Sequence, residues 1–320
     1  MISLFFLMLG KTLPLYFNVL IGYLASKKLG VERESIASLL IYVIGPVVVF
    51  FATVSVKIDL ALALFPLLLF ILSSVLAFVV YYSCRKYWQD GTGNILAFTA
   101  GTGNTGFFGI PLAMVLLPSH LADIYVFAVL SSLLYESSTG FYVTAKGKLT
   151  TTDVLRKILR LPPLYAFLLA LVFNLFGLEI PRVLFEYGSY FKGAYGILGM
   201  MILGMGLSGL KDGGHLDWKF INLSLVFKFI LWPLLMFGLI ALDHYILHYL
   251  NPEFYIVAII FALVPMAGNT VTLAVLLKTK PEKASIAVFI STVIAILYIP
   301  LMLVLTGLLP FPVPLDFNKL

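Results

Sequence analysis

The sequence predicts an all-α polytopic membrane protein of ten transmembrane helices. They form two inverted five-helix repeats, with helices 4 and 9 broken where they cross. Three observations predict this. Hydrophobic residues make up 61% of the chain and charged residues 11%, with a mean hydropathy of +1.06. A soluble domain carries roughly 45–50% apolar and about 25% charged residues. The apolar residues fall into ten runs, each close to the roughly 20 residues that cross a bilayer. Two of those runs carry the same Gly-Asn-Thr triplet, in GNTGFFGIP at 103–111 and VPMAGNTV at 264–271, one in each half of the chain.

The first run, 2–25, closes on Lys27 and Lys28. It has no basic segment before it, contains Lys11 and is followed by no small-residue cleavage site, so it is expected to be a membrane helix rather than a cleaved signal. The second, 35–54, follows Arg33, and the third, 60–83, lies between Lys57 and Arg85-Lys86. The fourth, 94–117, holds the first triplet and stops at Pro118. The fifth, 122–143, is bounded by Lys146 and Lys148. The sixth, 161–178, opens on Pro162-Pro163, and the seventh, 191–210, closes on Lys211. The eighth is 220–242; the ninth, 254–277, holds the second triplet; the tenth, 284–308, follows Lys283.

Basic residues test the count. Under it fifteen Lys and Arg fall in the odd-numbered loops and only four, Lys57, Arg182, Lys192 and Lys319, in the even loops and tails. Cytoplasmic loops hold the excess of positive charge, so both termini are expected outside. The net charge of +6 then needs no nucleic acid as partner. One cysteine, Cys84, excludes an intramolecular disulfide and an all-cysteine metal site.

The hydrophilic stretch 144–160 divides the chain into residues 1–150 and 151–320, five helices each, and an odd number per half inverts the second half. Pro14-Leu15-Tyr16 and Pro163-Leu164-Tyr165 are read as matching openings of the two repeats.

GTGNTG at 101–106 fits the dinucleotide pattern GxGxxG, but that pattern needs a strand before it and a βαβ unit around it. Here it lies inside an apolar run. Gly101 and Gly106 could serve close helix packing. The competing reading is a broken helix, since Pro111 follows within a turn or two and proline removes a backbone donor. Pro265, Gly268 and Asn269 repeat the pattern. Interrupted apolar segments at matching places in two halves point to a transporter's binding site. The candidate substrate-binding residues are therefore Gly103, Asn104, Thr105, Pro111, Pro265, Gly268, Asn269 and Thr270. Helix N-termini and amide groups there would suit an anion. For either asparagine the bland alternative is a structural interhelical hydrogen bond.

Charged residues away from the ends of the runs are Lys11, Glu136 and Lys228. Lys11 can snorkel. Glu136 and Lys228 are candidates for a charge pair or, for Glu136, a proton-coupling role. No histidine lies in a run, no arginine is read at membrane depth, and HExxH and GxSxG are absent.

GNTGFFGIPL at 103–112, ILGMMILGMGL at 197–207, VPMAGNTVTLAVLL at 264–277 and ASIAVFISTVIAILYIP at 284–300 resemble the auxin efflux carrier family, in its bacterial branch of malonate and malate permease-like transporters. The resemblance implies ten helices in two inverted repeats and crossover helices four and nine around a central site. It also implies a scaffold of helices one, two, six and seven, and a homodimer. Asn104 matches the family's crossover asparagine; around Asn269 the plant members differ. The long cytoplasmic loop of many plant members is absent.

The expectation is a secondary transporter of a small organic anion, a mono- or dicarboxylate, with no cofactor beyond H+ or Na+ as coupling ion, in the bacterial plasma membrane. The alternatives are a sodium-coupled symporter of the bile-acid type and a membrane ligand sensor. An enzyme is not expected.

Overall fold

In the computed structural model, residues 2–84, 87–88, 90–145, 152, 156, 159–208, 217–276 and 279–306 are described. Of the basic residues used to count helices, Arg85, Lys86, Lys146, Lys148, Lys157, Lys211, Lys278 and Lys319 lie outside them. Every regular element among the described residues is helical.

The elements run α1 Ile2–Leu29, α2 Arg33–Ser55, α3 Leu60–Cys84, α4 Thr92–Gly101, α5 Ile110–Leu116 and α6 Ser119–Thr144. The second half continues with α7 Pro162–Leu175, α8 Arg182–Ser208, α9 Trp218–Leu247, α10 Glu253–Leu263, α11 Asn269–Leu276 and α12 Pro281–Thr306. Six helices are long and apolar enough to cross a membrane: α1 from Ser3, α2, α3, α6, α9 and α12. α7 and α10 are shorter apolar helices. The outer helices show lipid-type surfaces, with Phe17 of α1, Val75 of α3 and Leu297 of α12 exposed. In contrast, 78% of the most apolar stretch of α6 is buried. α4 is buried along its whole length, and α10 from Phe254 to its end.

α1 lies along α8 at backbone contact. A Cβ on Gly204 would stand 1.8 Å from the Val19 carbonyl oxygen, and one on Gly22 would stand 2.0 Å from that of Met201. Small residues let membrane helices approach this closely, since lipid tails give apolar surfaces no other reason to associate. α2 packs on α7 and α8. α3 packs on α4 and α6, α11 on α12, and α9 on α10 and α12, while α1 also meets α12 and α2 also meets α6.

Three expectations change. Pro14 does not open a helix; it lies inside α1, where membrane helices tolerate proline because local adjustments re-satisfy the freed carbonyl. Pro163, by contrast, sits in the first turn of α7, where its missing N–H costs nothing. The seventh run begins at Arg182 rather than 191, so Arg182 and Lys192 are helical and not loop residues. Arg182 pairs with Glu186 one turn on, at 2.9 Å, which lets the helix continue past the apolar run. α9 likewise extends to Leu247, beyond the predicted end at 242.

The candidate functional site at the crossing of two broken segments

α4 stops at Gly101 because the next residues leave helical geometry: Thr102 is extended, with φ −141° and ψ 166°. Asn104 then caps a π-turn, Thr105–Gly109, that leads into α5. α10 stops at Leu263, Val264 is extended, and α11 starts at Asn269. The two gaps touch. The Asn104 backbone N–H donates to the Pro265 carbonyl at 2.8 Å. Residues 264–268 are buried. This is the setting in which irregular backbone is tolerated at membrane depth, enclosed by protein or lining a cavity.

Aromatic side chains hold the free carbonyls of the α4 C-terminus. Tyr135 Oη donates to the Phe98 carbonyl at 2.9 Å, and Trp232 Nε1 to that of Ala100 at 2.5 Å. Lys228 is buried on the same side, its Nζ over the Trp232 ring at 5.3 Å from the centroid. A Cβ on Gly103 would stand 2.3 Å from that Nζ and 2.9 Å from Val264 Cγ2, so a larger residue there would displace the lysine head and press on Val264.

A cavity of about 370 Å³ opens beside the crossing. Gly103, Asn104, Thr105, Gly268, Asn269 and Glu136 of the predicted residues line it. Pro111, Pro265, Thr270 and Lys228 do not. Pro111 is buried in the first turn of α5, and the carbonyl of Pro265 serves the crossing itself. Thr270 is wholly buried and its hydroxyl has no partner.

The polar groups of the cavity are arranged unequally. Asn104 Oδ1 accepts from the Phe108 N–H at 3.2 Å, while its Nδ2 is buried without a partner among the described residues. Thr105 donates to Ser132 Oγ at 2.8 Å. Glu136 accepts from Asn269 Nδ2 at 2.6 Å and from Thr102 Oγ1 at 3.3 Å. Glu136 and Lys228 make no ion pair with each other. They flank the first break from opposite sides, since the Thr102 hydroxyl faces one and the Gly103 backbone the other. Apolar walls come from α2, α5 and α6, among them Val48, Val49, Ile110, Val126 and Val129.

Three lining groups were not singled out in the sequence: Tyr195 of α8, Ser132 of α6 and the exposed Arg160 before α7. A second arginine, Arg33, reaches the Gly268 carbonyl at 3.4 Å. Both arginines lie at helix starts in sequence, and only packing carries them to the crossing.

Buried broken helices around a cavity, in a chain built of apolar helices, define an integral membrane transporter. A family model described as Membrane transport protein matches residues 143–303, and the chain belongs to this family, that of the auxin efflux carriers. An uncharacterized transporter of Methanocaldococcus jannaschii is 27% identical over 302 residues, covering 88% of this chain and 94% of the relative. An uncharacterized transporter of Methanothermobacter thermautotrophicus is 26% identical over 306 residues, covering 88% and 93%.

Proposed function

We propose that the protein is a secondary transporter that moves a small organic anion by alternating access at the crossing of the two broken segments. One observation carries this reading: the cavity at the joined breaks holds a buried, unpartnered amide N–H2 on Asn104. Leaving a buried donor unsatisfied costs about 1–3 kcal/mol. A carboxylate oxygen would satisfy it. Arg160 at the rim adds positive charge, and the apolar walls favour a substrate with a hydrocarbon or aromatic body. A monocarboxylate fits this balance better than a dicarboxylate, because Glu136 already places one carboxyl group in the cavity.

In this reading α4 with α5, and α10 with α11, are single interrupted crossings. The chain then crosses ten times, as inverted repeats of residues 1–150 and 151–320, with both termini outside a bacterial plasma membrane. Lining residues run along α6 from Val126 to Phe141, with Arg160 near the latter end. The other end is shut. One turn beyond Val126, Asp123 pairs with Lys192 of α8 and accepts from Ser55 Oγ of α2 at 2.6 Å. This cluster joins α2 and α8 to α6. It suits a gate that is closed while the Arg160 end is open. The coupling ion of this reading is a proton on Glu136.

The test is uptake of labelled carboxylates into liposomes holding the purified protein. Saturable uptake that Asn104→Ala weakens supports the reading. Carboxylate binding with no flux would make the protein a ligand sensor instead.

A further inference from the structure

The two asparagines of the crossing present opposite ends of their amides. Asn104 spends Oδ1 on the Phe108 N–H and keeps an unpartnered N–H2. Asn269 does the reverse. Its Nδ2 donates to Glu136 Oε2 at 2.6 Å, and among the described residues no group donates to its Oδ1. An ionised carboxylate only accepts hydrogen bonds. Ionised Glu136 therefore fixes the Asn269 amide with its N–H2 turned inward, in a short charge-assisted bond. The end left for an arriving anion is a carbonyl oxygen, which repels it.

A protonated carboxyl group has one O–H to donate. If Glu136 Oε2 carries a proton, it can donate to Asn269 Oδ1, and half a turn of the amide releases N–H2 to the cavity. Two amide N–H2 groups, one from each broken segment, then line the same cavity. The Thr102 hydroxyl can keep its bond to Oε1 in both states.

We propose that Glu136 and Asn269 form a proton-operated amide switch. Protonation of Glu136 turns Asn269 from an acceptor into a donor toward the cavity, so that proton and organic anion bind together. This deepens the transporter reading and rests on it. Asn269 is here a binding residue whose orientation Glu136 sets. The other titratable or charged groups around Glu136 are few. Tyr135 adjoins it on α6, its hydroxyl held by the Phe98 carbonyl. Tyr195 of α8 and Arg160 line the same cavity. Lys228 of α9 stands beyond the break against Gly103. None makes an ion pair with the carboxylate.

The experiment is titration calorimetry on the full-length protein in detergent, with benzoate and malonate as probes, at about pH 5.5 and about pH 8, on either side of the near-neutral range. Two buffers of different ionisation enthalpy at each pH report protons taken up. The wild type is expected to bind a probe more tightly at the lower pH, taking up a proton per anion. Glu136→Gln should bind without proton uptake and with a flat pH profile. Asn269→Ala should lose the low-pH gain, about tenfold or more in affinity, because a protonated Glu136 has no amide to turn. Asn269→Ser repeats the test if the alanine variant does not fold. An Asn269 variant that keeps the wild-type pH profile and proton uptake would overturn the switch while leaving the transporter reading in place, as would a flat profile in the wild type. Failure of both probes to bind the wild type at either pH would overturn the anion reading, and the switch with it.

Discussion

At the residue scale the crossing depends on groups that fit at single positions. The two ends of the Asn104 amide differ there: its Oδ1 caps the turn into α5, and its Nδ2 is buried beside the cavity with no partner among the described residues. Asn104→Ala should therefore weaken substrate affinity by about 1–3 kcal/mol, roughly fivefold to 150-fold. Binding measured in detergent beside a melting curve separates this from unfolding; unchanged affinity in a folded variant would make Asn104 structural only. Glu136→Gln should fold as well as the wild type, because the glutamine oxygen can still accept from Thr102 while its N–H2 donates to Asn269 Oδ1 once that amide turns. Its expected defect is in proton-driven uptake, with exchange of substrate across the membrane retained; poor expression, rescued by adding Lys228→Met, would instead revive a charge pair between the two. The triplets made the breaks legible in sequence, since Gly, Asn and Pro are poor helix residues in an apolar run. That Asn269 bonds to Glu136, 133 positions away, has no local signature.

At the element scale, close approach and end-to-end ties hold the helices. Gly204 faces the backbone of α1, not a flexible side chain. Gly204→Ala must push α1 from α8, an overpacking that costs about 1–3 kcal/mol; an unchanged melting temperature would mean that the seam gives way freely. The starts of α4, α9 and α12 are tied by charge. Lys283 Nζ reaches Asp217 at 2.6 Å and Thr92 Oγ1 at 3.2 Å, and Lys280 reaches Asp90 at 3.3 Å. Burial opposes ionisation of Asp90, but bonds from Thr92 and the two lysines outweigh it and hold its carboxyl down to about 2. Burial also opposes ionisation of Asp217, and Lys283 with the Phe220 N–H lowers it. Carboxyls depressed on folding contribute stability above their usual range, near pH 4, that is lost as pH falls toward their folded values. The melting temperature should thus drop between about pH 4 and about pH 2, and Asp217→Asn should flatten that drop. At neutral pH the same variant should cost about 1 kcal/mol, since the pair is partly exposed. A wild-type pH profile in this variant would show that the tie adds nothing.

At the scale of the whole molecule, the proposed reading has the cavity open toward Arg160, which lines it, and shut at the other end by the Lys192–Asp123–Ser55 cluster. Asp123→Asn removes the charge that holds Lys192 and should favour the opposite opening. With Cys84 replaced by Ser and Val126→Cys as reporter, maleimide labelling from outside the cell should rise when Asp123→Asn is added; an unchanged rate would show that the cluster is no gate. Topology has its own measurement. Native Cys84 should resist an impermeant maleimide in whole cells and react after lysis, whereas Lys57→Cys should react at once. Reaction of Cys84 from outside would reverse the orientation drawn from the lysines and arginines.

The sequence by itself determined the class of the protein, its all-helical make-up and the two points where apolar runs break. Those features are local: an apolar run must be helical in lipid, and Gly, Asn and Pro interrupt it wherever they cluster. Boundaries were less secure where ion pairs extend a helix beyond its apolar run, as Arg182 and Glu186 extend α8. Only the tertiary structure decided which groups share the cavity. Arg160, Tyr195 and Ser132 come to it from three different helices or their ends. It also decided that Glu136 serves Asn269 rather than Lys228. A side chain's partner is fixed by how separate helices pack, and nothing in the spacing of residues along one helix records that.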